Sequence, residues 1–197
     1  MPFSRDPRFD ALRNAIYHTE RSTFIDLVNR SLNFLVIVLG AGAVGKAATL
    51  LKAGDVWLEL SVVIVATLQL VFDLGSRARR HEFLQKRYYE LLAEMDDADF
   101  SNENTLAKWS ANLLVIAGDE PMAMRALDSL AYNKALSATY EDEDIIRGNR
   151  IYVSWLQRRL RHIFAYHSAE FPTEDALRRR KAERPRTARI RRFICGG

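Results

Sequence analysis

The stretch LNFLVIVLGAGAVGKAATLL, residues 32–51, is followed after Lys52-Ala53-Gly54-Asp55 by a second run, VWLELSVVIVATLQLVFDLG, residues 56–75. As helix, each run of about 20 residues would be ~30 Å long, the thickness of a bilayer's hydrocarbon core. A four-residue link joins two antiparallel helices and leaves no room for a domain between them. Between Leu32 and Phe72 the only formal charges are Lys46, Lys52, Asp55 and Glu59. The pattern predicts a hairpin of two transmembrane helices, with spans of about 32–51 and 56–75.

Outside the hairpin the chain changes character. The 197 residues include 27% charged side chains, an average typical of soluble proteins, because the apolar residues are concentrated in the two runs. Arg13, Arg21 and Arg30 lead into the first run, and Arg77, Arg79, Arg80, Lys86 and Arg87 follow the second. The link offers only Lys52, so the positive-inside bias predicts both termini in the cytoplasm. Met1-Pro2-Phe3-Ser4 lacks a signal-peptide pattern, and the first run has no small-residue cleavage site at its end, so the runs are expected to stay in the mature protein. A single cysteine, Cys195, gives no internal disulfide framework and fits a reducing compartment.

An intramembrane charge costs about 2.5–3.5 kcal/mol on insertion scales, so Lys46 and Glu59 each need a partner or water. Reflected about the midpoint of the link, they lie at nearly the same depth. They are expected either to pair near the outer end of the hairpin or to line an aqueous pore. Ser61, Thr67 and Gln69 are the other polar positions of the second span that could face water. The same reflection sets Arg13 level with Glu94, Glu20 with Arg87 and Asp26 with His81. It suggests that both helices continue past the membrane as an antiparallel stalk.

Gly40-Ala41-Gly42-Ala43-Val44-Gly45 is a GxGxxG string after the strand-like Leu35–Leu39, with Glu59 further on as an acid for ribose hydroxyls. On paper this is a dinucleotide fingerprint. Against it, the apolar run continues through Phe72, where a Rossmann unit needs a loop and an amphipathic helix, and nothing after residue 75 reads as a parallel strand. Ala41 and Gly45, and Ala43 and Ala47, are small-xxx-small pairs that let membrane helices approach closely, within the hairpin or between subunits. No cofactor is expected.

Phe9 to Asn29 reads as an amphipathic helix running unbroken into the first span, with Leu12, Ile16, Phe24, Leu27 and Val28 as its apolar side. Ser76 to Met95 continues the second span, with Phe83, Leu84, Tyr88, Leu91 and Leu92 inward. After a polar loop, Leu106, Trp109, Leu113 and Ile116 mark a short helix that Gly118 can end. Pro121 suits the first turn of the next, with Asp119 and Glu120 at its positive end and Met124, Leu127, Leu130 and Ala131 along it. Glu141–Asp144 reads as an acidic loop. Ile151 to Phe171 reads as a longer helix with Tyr152, Trp155, Leu156, Leu160, Ile163 and Phe164 inward and Arg158, Arg159 and Arg161 outward.

From Arg178 to Arg192 nine of fifteen residues are basic, with Pro185 among them. This tail is expected to be mobile. It is either a solvated charged segment or, through Arg178, Arg179, Arg180 and Lys181, a binder of anionic lipid headgroups. Without aromatic residues between the arginines it lacks a stacking platform, so nucleic acid is not an expected partner. Gly196-Gly197 resembles a conjugation tail only weakly.

The residue types for catalysis are present but not arranged. His18, His81, His162 and His167 show no metal-ligand spacing, Cys195 has no CxxC partner, and no nucleophile stands beside a recognisable base. Neither a metal site nor an enzyme is expected, and His18 and His81 are not level in the reflected hairpin.

The order of parts carries more. Ile16-Tyr17-His18-Thr19-Glu20-Arg21 leads to the two-span hairpin; then come Asp73-Leu-Gly-Ser-Arg77-Ala-Arg-Arg80-His81 and Tyr88-Tyr89-Glu-Leu-Leu-Ala-Glu94, and later Glu120-Pro121 and Leu127-Asp-Ser-Leu-Ala-Tyr-Asn133. This arrangement resembles the SLATT domain, a two-transmembrane domain associated with SMODS nucleotidyltransferases and SLOG nucleotide sensors. The likeness spans most of residues 9–170. It implies a pore-forming effector of the bacterial inner membrane that acts in nucleotide-signalled antiviral defence by abortive infection. The family's Tyr-His before the first span falls on Tyr17 and His18, near Arg21. Its arginine–histidine segment after the second span falls on Arg77, Arg80 and His81. These residues are implied to be structural or gating. No sensor domain is fused here, so activation would come from a separate nucleotide-sensing or nucleotide-synthesising protein, or through 101–170.

The expectation is therefore an all-α membrane protein. Residues 1–95 form the hairpin and its cytoplasmic stalk, 96–171 a small cytoplasmic helical region and 172–197 the basic tail. A pore would need a homo-oligomer in membrane lipid, because two helices cannot enclose a channel. The rival expectation is a membrane-anchored helical interaction protein without pore activity, and a more distant one is a nicotinamide-dependent enzyme built on Gly40, Gly42 and Gly45.

Overall fold

A computed structural model describes residues 6–44, 55–96 and 103–183, except for the side chains of 42–44, 55–56, 58–59 and 103. The architecture is all-α. The helices are α1 (Pro7–Val44), α2 (Asp55–Phe72), α3 (Leu74–Asp96), α4 (Glu103–Ala117), α5 (Arg125–Thr139), α6 (Glu143–Asn149), α7 (Trp155–Arg159) and α8 (174–183). Among the described residues the sole β pairing is an isolated antiparallel bridge, Ile151 to Thr173. Two helical stretches, Pro7–Ala41 and Leu60–Asp96, are long and apolar enough to cross a membrane. Residues 35–44 lie within α1, so the strand that a dinucleotide fold needs before its glycines is a helix here.

The chain divides into two compact units, His18–Leu84, and Met1–Tyr17 with Gln85–Gly197. In the first, α1 lies antiparallel to α2 and α3. The Gln69 amide donates to Asn33 Oδ1 at 2.9 Å, and His18 meets His81. Gly75 faces Asn29, and a Cβ there would meet its Nδ2 at an ordinary 3.7 Å. The buried stripe of α1 here is His18, Ser22 and Ile25, and that of α3 is Ala78, His81 and Leu84. Spacings of three and four residues keep such a stripe on one helix face.

One residue separates α2 from α3. Asp73 takes the left-handed conformation (φ 40°), which Asp tolerates better than most side chains. Its N–H still donates to Gln69 O at 3.1 Å, ending α2, while its carbonyl accepts from Arg77 N at 3.1 Å, starting α3. Its carboxylate accepts from Ser76 N at 3.2 Å, the N-cap bond of the new helix. The span and its continuation are thus two helices joined at Asp73, not one.

The observed register departs from the charge-based reflection. His81 meets His18, about two turns before the expected Asp26, which instead pairs with Arg30 on its own helix at 2.8 Å. Exposed ion pairs contribute about 0–1 kcal/mol and are weak determinants of register. Buried hydrogen bonds, whose loss leaves a desolvated polar atom, are strong ones.

The second unit contains the start of α1, the end of α3 and the helices that follow. Phe9 packs on Ala135 and Leu136 of α5, with Leu12, Ile16, Tyr132, Tyr140 and Ile146 around it. Phe9 and Tyr132 meet edge to face at 5.2 Å. Tyr17 packs on Leu127 and Ala131. The Arg13 guanidinium holds the Asp128 carboxylate with both Nε, at 2.8 Å, and Nη2.

Three local expectations are corrected in this unit. Helix α5 starts at Arg125, not at Pro121, and Met124 at its N-cap makes no side-chain cap bond. Tertiary acceptors take its first donors instead: Met124 N–H donates to the Tyr17 hydroxyl (3.0 Å) and Arg125 N–H to Ala165 O (3.1 Å). Glu141–Asp144 is less a loop than a helix start, because the Asp142 side chain caps α6 through Asp144 N at 2.8 Å. The helix expected over 151–171 shrinks to α7, closed by a Ser154–Gln157 capping box and followed by turns, with Tyr166 at φ 53°. The first residues of the basic tail are helical in α8, where Thr173 Oγ1 accepts from Ala176 N at 3.2 Å.

Candidate functional site

The positions most suited to function are polar groups set into, or just beyond, the apolar part of the hairpin. Around them α1 exposes Phe34, Leu35, Ile37 and Val38, and α2 exposes Trp57, Val63, Ile64, Leu70 and Val71 among others. Of the apolar windows, 6% is buried in the first stretch and 0% in the second. The 18 residues of α2 span ~27 Å, close to the hydrocarbon thickness.

Within this apolar surface the Asn33–Gln69 bond links α1 to α2. Gln69 is among the polar positions expected from sequence; Asn33, the only side-chain amide of the first run, is not. An amide pair satisfies one donor and one acceptor and leaves three donors and the remaining lone pairs for water or another helix. The Ser61 hydroxyl turns back to donate to Trp57 O at 2.7 Å, a common way to satisfy a hydroxyl inside an apolar helix. Thr67 is exposed. Lys46 and the side chain of Glu59 lie outside the described residues, and with them the expected ion pair. Of the small-residue positions, Gly40 has open space where a Cβ would stand and Ala41 is exposed. Gly42 and Ala43 are helical in α1 without described surroundings, and Gly45 and Ala47 lie outside the described residues.

Toward the other end of this unit, His18 and His81 form a buried pair. His18 is fully buried, His81 is 6% exposed, and their Nδ1 atoms are 2.8 Å apart. This corrects the expectation that they are not level. A hydrogen bond between two Nδ1 atoms requires one protonated nitrogen and one bare one, so the two tautomers are complementary. Both residues belong to the motif positions singled out from sequence. Of the others, Tyr17 is buried, Arg21 half-buried, and Arg77 and Arg80 exposed. Among the described residues no three His, Cys, Asp or Glu side chains gather as a metal site would need.

In the other unit, the Tyr88 hydroxyl donates to Glu120 Oε1 at 2.5 Å, and Arg87 pairs with Asp119 at 2.8 Å. Asp119 and Glu120 therefore serve α3, not the start of α5. Burial first, then the Glu120 bond, pushes the Tyr88 phenol well above its usual range. At Arg13 burial opposes the charged form, but the Asp128 bond and charge outweigh it and raise the pKa. Burial also raises Asp10, against the pull of Arg13. These are the ties of a helical bundle. Of the expected headgroup binders, Arg178, Arg179, Arg180 and Lys181 are all exposed on α8, where Arg179 pairs with Asp175 at 3.0 Å and Arg180 with Glu170 at 3.8 Å.

No family model, curated protein or solved structure matches this chain.

Proposed function

We propose that the chain is a membrane effector whose α1–α2 hairpin crosses a bilayer and, in several copies, forms a pore. The observation that carries this reading is the apolar surface of the two helices, of which the described residues bury 6% of one apolar window and 0% of the other. Each Leu, Ile, Phe or Val at a span centre favours insertion by about 0.3–0.6 kcal/mol, and nine of the thirteen residues from Leu60 to Phe72 are of these types. The resemblance to the SLATT domain adds the rest of the proposal: a bacterial inner membrane, cytoplasmic termini, a homo-oligomer, and a nucleotide-sensing or nucleotide-synthesising partner that triggers opening in antiviral defence. The protein would act by permeation, without catalysing a reaction. Gln69, Asn33 and Thr67, with Glu59 and Lys46, are the residues proposed to meet water in the assembled pore.

Dye release from proteoliposomes tests this. Release should rise more steeply than linearly with protein density, as an oligomeric pore requires. Replacing Asn33 and Gln69 together by Leu should reduce release without reducing insertion. Intact vesicles at high density, with correctly inserted protein, would leave the hairpin as an anchor only.

A further inference from the structure

Residues 152–164 present a second apolar surface, outside the hairpin. Tyr152, Trp155, Leu156, Ile163 and Phe164 are all exposed, Trp155 by 75% and Ile163 by 61%. Sequence periodicity places them inward; the structure turns them out. Their exposure does not come from a loose segment. Asn133 clamps Ile151 on both sides, accepting from its N–H at 2.8 Å and donating to its carbonyl at 2.7 Å. Tyr152 N–H donates to Pro172 O at 2.9 Å, Val153 is buried, and Ser154 and Gln157 close the capping box. At the far end, Arg125 donates from its backbone N–H to Ala165 O and from Nη1 to His167 O at 2.7 Å. Fixing such side chains in water is unfavourable unless something covers them.

The charges beside the patch indicate what covers it. Arg158 and Arg159 on α7 are exposed, and among the described residues neither guanidinium makes an ion pair. Arg161 stands next to them, its Nη1 donating to Arg158 O. Trp and Tyr, with an apolar body and a polar tip, favour the membrane–water interface. Unpaired arginines attract anionic headgroups. A protein partner of equal fit would need both a hydrophobic groove and acidic residues, whereas an anionic bilayer supplies both features at once. A bilayer is also at hand on the proposed reading of the hairpin, on which this inference rests.

We infer that the Trp155 patch with Arg158 and Arg159 is a second, peripheral membrane-binding surface that seats on anionic lipid. The test uses the full chain reconstituted into vesicles of phosphatidylglycerol and phosphatidylcholine with bromine-labelled acyl chains as quencher. The three tryptophans are Trp57, Trp109 and Trp155. Exposed Trp57 and Trp155 are replaced by Phe in turn, leaving buried Trp109 as a constant background. The expected result is that lipid quenches Trp155 in anionic vesicles. That quenching is lost in pure phosphatidylcholine, at high salt and in Arg158→Glu/Arg159→Glu. Trp155 unquenched beside a quenched Trp57 overturns the inference and leaves the hairpin standing. Trp155 quenched beside an unquenched Trp57 supports the surface and removes the hairpin, and neither quenched removes both. Trp155 untouched by lipid yet shielded from aqueous iodide also overturns the inference, pointing to a protein or a second copy as the cover.

Discussion

At Tyr88 a buried aromatic residue carries a polar contact into the helical region. Its ring is fully buried and its hydroxyl reaches Glu120 at 2.5 Å. Hydrogen bonds to charged groups contribute about 1.5–3 kcal/mol, so Tyr88→Phe should destabilise the helical region by that order. The raised phenol pKa gives a second readout. Below about pH 10 the phenol is protonated in both the folded and unfolded chain, and the stabilisation is fully present. Above that, the unfolded chain releases the proton while the folded one retains it, so stability falls as pH rises. Thermal unfolding in detergent should show a steeper alkaline decline for the native protein than for Tyr88→Phe; parallel declines would show that Tyr88 does not carry it. Sequence marked Tyr88 as inward from its spacing. Its partner was hidden, because Glu120 beside Pro121 reads as a helix-start acid and the true start, Arg125, is satisfied by the remote Tyr17 and Ala165.

Among the elements, the long helices were legible and their seam was not. Residues 9–39 hold no proline or glycine, and α1 accordingly runs unbroken from Pro7 to Val44. Yet the residues it buries include Ala11, Ala15, His18 and Ser22, while Leu27, chosen for its hydrophobicity, is 62% exposed. Small and polar side chains carry little periodic signal, so a seam that relies on close approach and one histidine contact escapes a search for large apolar residues. The segment 151–171 fails in the opposite sense. Its apolar residues recur at helical spacing, but the chain is held at both ends by side-chain and backbone bonds that no local pattern encodes. The break at Asp73 did have a signal, an N-cap residue before Leu-Gly-Ser, outweighed by the continuous apolar run before it. If the histidine pair fixes α1 against α3, each single change, His18→Ala or His81→Ala, should cost about 1–3 kcal/mol by stranding its partner's buried nitrogen. The double variant should cost less than the sum of the two, since neither imidazole remains to lose the other. Additive losses in a thermal double-mutant cycle would deny the pair that role.

For the molecule as a whole, the distribution of apolar residues dictates the reading. A soluble bundle covers such helices with its own chain, as the helical region covers Leu127, Leu136 and Met95. Among the described side chains of α2 none is buried. Sequence foretold the two apolar helices from run length alone, because a bilayer imposes a length on whatever crosses it. It also foretold the all-α class. The inner-membrane address, the pore and the signalling partner rest on a resemblance in the order of parts, and they stand or fall after the simpler claim beneath them. That claim is that the hairpin is integral to a membrane, and alkaline carbonate extraction of membranes from cells expressing the full chain tests it most directly. The protein should remain with the pellet through carbonate and high salt and dissolve only in detergent; its release into the carbonate supernatant would contradict the account.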